Sequence, residues 1–278
     1  MKILGLIASP RRLGNCELLV KEISLQMAAE HELKLLRLPD FRIDPCRACY
    51  GCLSGEMRCK TEDDLLVILE ALSACDRLIV ASPTYFLAPN ASLKRLLDRG
   101  LSFYGQGERL WGKPALGLAV AGIPGKEGYT LLGVESFLKC LLADIKASAV
   151  LYGALPGEVF LDEENRQRAG ELASRLLSAD AEPSHAFCPV CGGDTFRFLD
   201  QERVRCMLCS NEGSMEAGPD GLRFRIRQSE HELFVSWQKA KEHLAWLQGM
   251  KQRFRDNKRE LLQVMARYKD YGEWIEPG

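Results

Sequence analysis

From residue 2 to residue 177 the chain alternates short apolar runs with amphipathic stretches, five of each, and that rhythm admits very few folds. The apolar runs are 2–8, 31–38, 76–81, 113–121 and 147–152, each of a length that suits a strand in a covered sheet. The stretches between and after them, 16–30, 61–74, 91–103, 130–145 and 162–177, repeat apolar residues at helical spacing, as in Leu18, Leu19, Ile23 and Met27. Thr61, with Asp64 three residues on, reads as a helix start whose acids suit the dipole. Strands alternating with helices build a parallel α/β sheet with helices on both faces, since each crossover is right-handed and must pass over the sheet. Five strands in this rhythm fit the order 2-1-3-4-5. A ligand then binds outside the carboxyl ends of the strands, at the switch between strands 1 and 3.

Several loops reach that rim. Ser9, Arg11 and Asn15 lie between the first strand and the first helix, where unpaired N–H groups and the helix dipole suit a phosphate. The loop is neither a Walker loop nor a dinucleotide fingerprint. In the loop 82–90, Tyr85 and Phe86 can flank a flat ring, and the backbone of Pro83–Phe86 can bond its edge. The competing reading makes both aromatics plain core. A glycine-rich loop, 122–128, follows the fourth strand.

Eleven cysteines are too many for packing alone. The start of the chain has no signal peptide and no membrane-length apolar run, so we expect a cytoplasmic protein with reduced thiols acting as ligands. Cys46, Cys49, Cys52 and Cys59 leave the second strand as C-x2-C-x2-C-x6-C. Close spacing with a more distant fourth cysteine suits a 4Fe–4S cubane, whose irons each take one thiolate. Zinc and redox-active disulfides are the alternatives. Cys188, Cys191, Cys206 and Cys209 form a second quartet, C-x2-C-x14-C-x2-C. Two separated knuckles are the pattern of a zinc ribbon, with rubredoxin-like iron as the alternative.

Composition changes near 179–184, which reads as a linker. We therefore expect a domain over 1–180, a ribbon-like module over 185–228 and a helical segment over 229–278. His185 lies close enough in sequence to Cys188 to stand in for a ligand, and Pro219 to Gly221 reads as a turn. In the last segment Leu233, Trp237, Ala240, Leu244, Leu247, Phe254, Leu261, Met265 and Tyr268 follow a three-four spacing. It reads as one helix or a hairpin broken near Gly249, packed on its own chain or on another copy.

The run Ala8 to Asn15 resembles the phosphate loop of the flavodoxin-like NAD(P)H-dependent FMN reductases. The cysteine run with the following Lys60 to Asp64, then Ser82 to Phe86 with Lys94, Asp98 and Arg99, resembles the iron–sulfur flavoprotein branch of that family. The likeness covers about residues 1–180. It implies FMN, with its phosphate at Ser9, Arg11 and Asn15 and its ring against Pro83, Thr84, Tyr85 and Phe86. Gly122 and the loop it opens would close over the ring. Cys16 stands at the phosphate where the family often has threonine. The resemblance also implies a 4Fe–4S cluster on the first quartet and a homo-oligomer.

The function expected is an FMN-dependent oxidoreductase passing electrons between a cluster, FMN and a partner. That partner is a ferredoxin-like protein or NAD(P)H. One alternative is a cluster-free NAD(P)H-dependent FMN or quinone reductase. Another is a redox-responsive binding module acting through the ribbon and the last helix. Arg197, Arg203, Arg205, Arg223, Arg225 and Arg227 give that last reading its nucleic-acid form. A net charge of −1 argues against nucleic acid, and no apolar run of membrane length argues for a bilayer.

Overall fold

A computed structural model describes residues 1–178, 187–218, 221–233, 235–269 and 271–275. The expected linker, His185 and part of the turn at 219–221 lie outside the described residues. The first sheet contains β1 (Lys2–Ile7), β2 (Glu32–Arg37), β3 (Arg77–Tyr85), β4 (Ala88–Pro89), β5 (Pro114–Ala121) and β6 (Asp144–Tyr152). Its order is β2-β1-β3-β5-β6, parallel throughout, so the five long strands follow the expected 2-1-3-4-5. The two-residue β4 was not expected. It turns back antiparallel on the end of β3, making the sheet six-stranded and 82–85 strand where a loop was read.

The helices are α1 (Asn15–Leu25), α2 (Leu65–Ala74), α3 (Ala91–Leu97), α4 (Gly107–Leu110), α5 (Thr130–Cys140) and α6 (Glu163–Leu177). One face of the sheet packs Leu4, Leu6, Leu78 and Val80 against Ile68, Leu72, Phe137 and Leu138 of α2 and α5. The other packs Ile3, Ile7, Ile79 and Leu118 against Leu19, Ile23, Leu172 and Leu176 of α1 and α6. These strand residues alternate sides, and both sets are apolar because both faces are covered. Thr61 does not cap α2. Asp64 holds the N-cap position, and the Asp63 carboxylate accepts from Leu65 N–H at 3.2 Å. At the far end of α2, buried Lys113 donates to Leu72 O at 2.7 Å, to Ser73 O at 3.3 Å and to Cys75 O. A cation there satisfies carbonyls that the helix leaves open.

A second, antiparallel sheet has the order β10-β9-β8-β7, from β7 (Phe196–Phe198), β8 (Arg203–Cys206), β9 (Glu212–Gly218) and β10 (Gly221–Arg227). The glycine-flanked β9 was hidden in the sequence. Three arginines of this sheet are paired, Arg203 with Asp200, Arg205 with Glu212 and Arg225 with Glu216. The C-terminal segment forms α7 (Trp237–Asp256) and α8 (Lys258–Ala266). The helix runs through Gly249 and breaks at Asn257, so the expected break is displaced by two turns. An interior glycine costs a helix only about 1 kcal/mol, too little to end one of 20 residues. Trp237 lies so close to Gly107 that a Cβ there would be 2.6 Å from its ring, and it contacts the Trp111 ring at 5.7 Å between centroids. Further along α7, Gln248 donates to Leu53 O in the first cysteine loop at 3.1 Å.

Candidate functional site

The cleft at the switch point has a volume of about 200 Å³. Ser9, Arg11, Asn15, Cys16, Pro83, Thr84, Tyr85 and Gly122 line it, joined by Val120, Gly153 and Ala154. Phe86 does not line it. The last two lining residues follow β6, whose carboxyl end meets the same rim, and sequence reasoning missed them.

At one end, α1 begins after Gly14, which is extended and offers no side-chain cap. Its first N–H groups have no intrahelical partner, and Asn15 and Cys16 line the cleft, so this end suits an anion. The Asn15 side chain is committed elsewhere, donating to Gly153 O at 2.8 Å and accepting from Gly157 N–H at 2.9 Å, so it ties the β6 loop to the phosphate loop. Arg11 donates to Ala154 O at 3.1 Å across the mouth. Burial pushes the Cys16 thiol up to about 12, which keeps it protonated and a weak donor. Glu17, in the first turn, accepts from Leu13 N–H at 2.9 Å and pairs with Lys21 at 2.6 Å and Arg37 at 2.7 Å. Burial alone would raise this carboxyl, but these partners outweigh it and hold it at about 2.

At the other end, Phe86 and Leu87 form the two-residue turn between β3 and β4, with φ of 49° and 66°. A turn that twists with its strands needs positive φ at both positions, which side chains resist by about 1–2 kcal/mol each. Such strain gathers at functional sites. Phe86 points fully outward and Tyr85 remains at the wall. The 122–128 loop locks the turn. Tyr129 N–H donates to Leu87 O at 2.9 Å, and a Cβ on Gly128, at φ +56°, would lie 2.2 Å from that oxygen. The buried Thr84 hydroxyl has no partner. Open helix amides at one end and an unsatisfied hydroxyl at the other fit a phosphate-bearing ring such as FMN.

Cys46, Cys49, Cys52 and Cys59 line one small pocket with Thr61 and Arg99. Ala48, Tyr50, Gly55 and Met57 in this loop all have positive φ, between 50° and 62°. Backbone that alternates sign turns successive N–H groups inward, a concavity suited to anions and to iron–sulfur sites. The loop chemistry fits a cluster with negative sulfides. Burial alone would raise the Cys59 thiol, but hydrogen bonds from Thr61 and Arg99 lower it. Cys52 is raised, first by burial and then by the neighbouring thiols.

The second quartet is gathered far more tightly. The sulfurs of Cys188, Cys191, Cys206 and Cys209 all lie within 4.8 Å of one another, and they are the one group of metal-ligating side chains among the described residues close enough for a single ion. Cys191 and Cys206 sulfurs are 3.5 Å apart, and Gly193 N–H donates to Cys191 at 3.4 Å. Hydrogen bonds from the other three thiols pull the Cys188 pKa down. The same mutual hydrogen bonds and burial raise Cys191 and Cys206, so a cation bound by all four sulfurs would displace the protons that they share.

Residues 1–130 match the family described as NADPH-dependent FMN reductase. An iron–sulfur flavoprotein from Archaeoglobus fulgidus is 29% identical over 181 residues, covering 64% of this chain and 80% of that protein. Over its first two thirds the chain is similar to the iron–sulfur flavoprotein branch of the FMN reductase family. Another member, from Methanocaldococcus jannaschii, is 39% identical over 100 residues, 36% of this chain and about half (51%) of that protein. A solved flavone reductase superposes over the whole of both chains with a TM-score of 0.63 at 16% identity, a likeness of fold. Among the described residues no helix is long and apolar enough to cross a membrane.

Proposed function

We propose that the chain passes electrons between a 4Fe–4S cluster on Cys46, Cys49, Cys52 and Cys59, FMN in the switch-point cleft, and a partner that is NAD(P)H or a ferredoxin-like protein. Bound FMN takes and gives one or two electrons, and the cluster moves them singly. The protein's own work is placement. The α1 amides and Arg11 hold the phosphate end. Thr84, Tyr85 and Gly122 form the ring end, and the locked Phe86–Leu87 turn fixes the rim. Ser9 braces the phosphate loop by accepting from Arg11 N–H at 3.3 Å. No separate nicotinamide fingerprint is present in the sequence, so a nicotinamide donor would stack on the exposed face of the flavin.

The observation that carries this reading is the joint placement of four thiols in one anion-suited loop and a phosphate-suited cleft, both at the carboxyl ends of one parallel sheet. Residues 187–227 with the second quartet form a structural zinc ribbon, since a module so small gains its stability from the metal. The chain works in the cytoplasm as a homo-oligomer, a state supported by the exposed apolar side chains of Phe86 and Leu87 at the rim and of Leu262, Val264 and Met265 on α8. The test is FMN titration followed by flavin fluorescence. Wild type saturates, and Gly122→Leu, which fills the cleft beside Ala154, loses binding by tenfold or more. Equal binding by the variant overturns the assignment of the cleft.

A further inference from the structure

The guanidinium of Arg99 is sealed inside the protein, 2% exposed, one residue beyond the cap of α3. Its partners leave it little freedom. Nη1 donates to Asp63 Oδ2 at 2.6 Å and to Asp44 O at 2.7 Å. Nη2 donates to Asp63 Oδ1 at 3.4 Å and to the Cys59 sulfur at 3.1 Å. Asp63 is itself fully buried and accepts from Asp44 N–H at 2.9 Å as well as from Leu65 N–H at 3.2 Å. Both members of the pair are therefore oriented by backbone from the two sides of the cysteine loop. A buried ion pair is weak evidence for stability, because desolvation consumes most of the Coulombic gain. Its geometry points instead at what the remaining N–H touches, and that is a sulfur.

We infer that Arg99 is a positioning residue that sets the reduction potential of the cluster through Cys59. The inference rests on the cluster reading above. Reduction adds one negative charge to the cluster and its thiolates. An N–H···S bond from a guanidinium that water cannot screen stabilises that added charge and raises the potential. Asp63 opposes it, holding a negative charge on the far side of the same fork. The two residues act with opposite sign on one sulfur. The helix α3, whose cap precedes Arg99, starts beside the cleft, where Asn90 N–H donates to the Ser82 hydroxyl at 3.1 Å and the Ser92 hydroxyl donates to Ala8 O at 3.3 Å. One short helix thus braces both redox sites.

The experiment is an anaerobic redox titration of the full chain, reconstituted with iron, sulfide and FMN. Cluster reduction is followed by electron paramagnetic resonance. The step is one electron from dithionite through a mediator, with no bond made or broken. Arg99→Gln is expected to lower the reduced-to-oxidised ratio at a fixed poise by at least tenfold, a shift of about 59 mV for a one-electron couple. Asp63→Asn, which keeps an acceptor for one of the two backbone amides, is expected to raise it. A mere loosening of the loop would not move the two variants in opposite directions. Unchanged potentials in both variants overturn the inference. If Arg99→Gln fails to load iron, Asp63→Asn decides alone, and a fall or no shift overturns it. Wild type that binds FMN but no iron and sulfide overturns the cluster reading itself, before any variant is compared.

Discussion

Replacing Glu17 by Gln tests how the phosphate loop is held. The carboxyl lies at about 2 against an ordinary value of 4.5. At about 1.36 kcal/mol per pKa unit, that difference contributes about 3 kcal/mol to folding at neutral pH. Half-exposed Lys21 is the largest of the partners that lower it, followed by Leu13 N–H and Arg37. The native pKa is depressed, so the stability is present above pH 4.5 and is lost as pH falls through 2. By pH 3 about half remains. The assay is urea unfolding of flavin-free wild type and Glu17→Gln, followed by circular dichroism at pH 7, 5 and 3. We expect the variant to be about 2–3 kcal/mol less stable at pH 7, with the gap shrinking toward pH 3. Its FMN affinity should also fall, because Leu13, at φ 50°, no longer has its anchor. A gap under 1 kcal/mol at pH 7, or one independent of pH, refutes the reasoning.

Cys206→Ser should release the ribbon metal and unfold β7 to β10 while FMN binding persists, read by metal content and amide hydrogen exchange. Lys113→Met should cost about 2 kcal/mol in thermal or urea unfolding, because the α2 carbonyls it serves become buried without donors. His231 and His243 face each other at 2.8 Å beside the Trp246 ring, and burial, then the neighbouring histidine, lower the His243 pKa below its ordinary 6.5. The native state thus binds fewer protons than the unfolded, and the docking of α7 should weaken as pH falls below 6.5. Trp246 fluorescence, obtained by difference from Trp246→Phe, should change as pH falls below 6.5 and stay flat in His243→Gln.

Much of this fold could be read from periodicity, because a sheet covered on both faces demands unbroken apolar strands. Ile3 to Ile7 and Leu78 to Ala81 carried that signal plainly. Helix ends were less legible. Residues 61–64 look like a helix start, but Asp63 and Asp64 are drawn to Arg99, Asp44 N–H and Arg42 N–H, and the helix waits until Leu65. The β3–β4 hairpin was missed because its turn residues, Phe86 and Leu87, are the opposite of turn formers, and only the tertiary lock from Gly128 and Tyr129 holds them there. At the site, residue types and topology indicated the cleft, whereas Asn15 proved to be a brace across 138 residues to Gly153. Arg99, and Arg37 in its pairing with Glu17, act through long-range contacts that no local pattern announces.

The central claim is that two cysteine quartets of different spacing hold different chemistry. It is tested by measuring iron, acid-labile sulfide, zinc and FMN on one anaerobic preparation, for wild type and for Cys49→Ser. The account predicts iron and sulfide in equal amounts with zinc and FMN in wild type, and loss of iron and sulfide alone in the variant. FMN with no iron in wild type, or iron retained by Cys49→Ser, would contradict it.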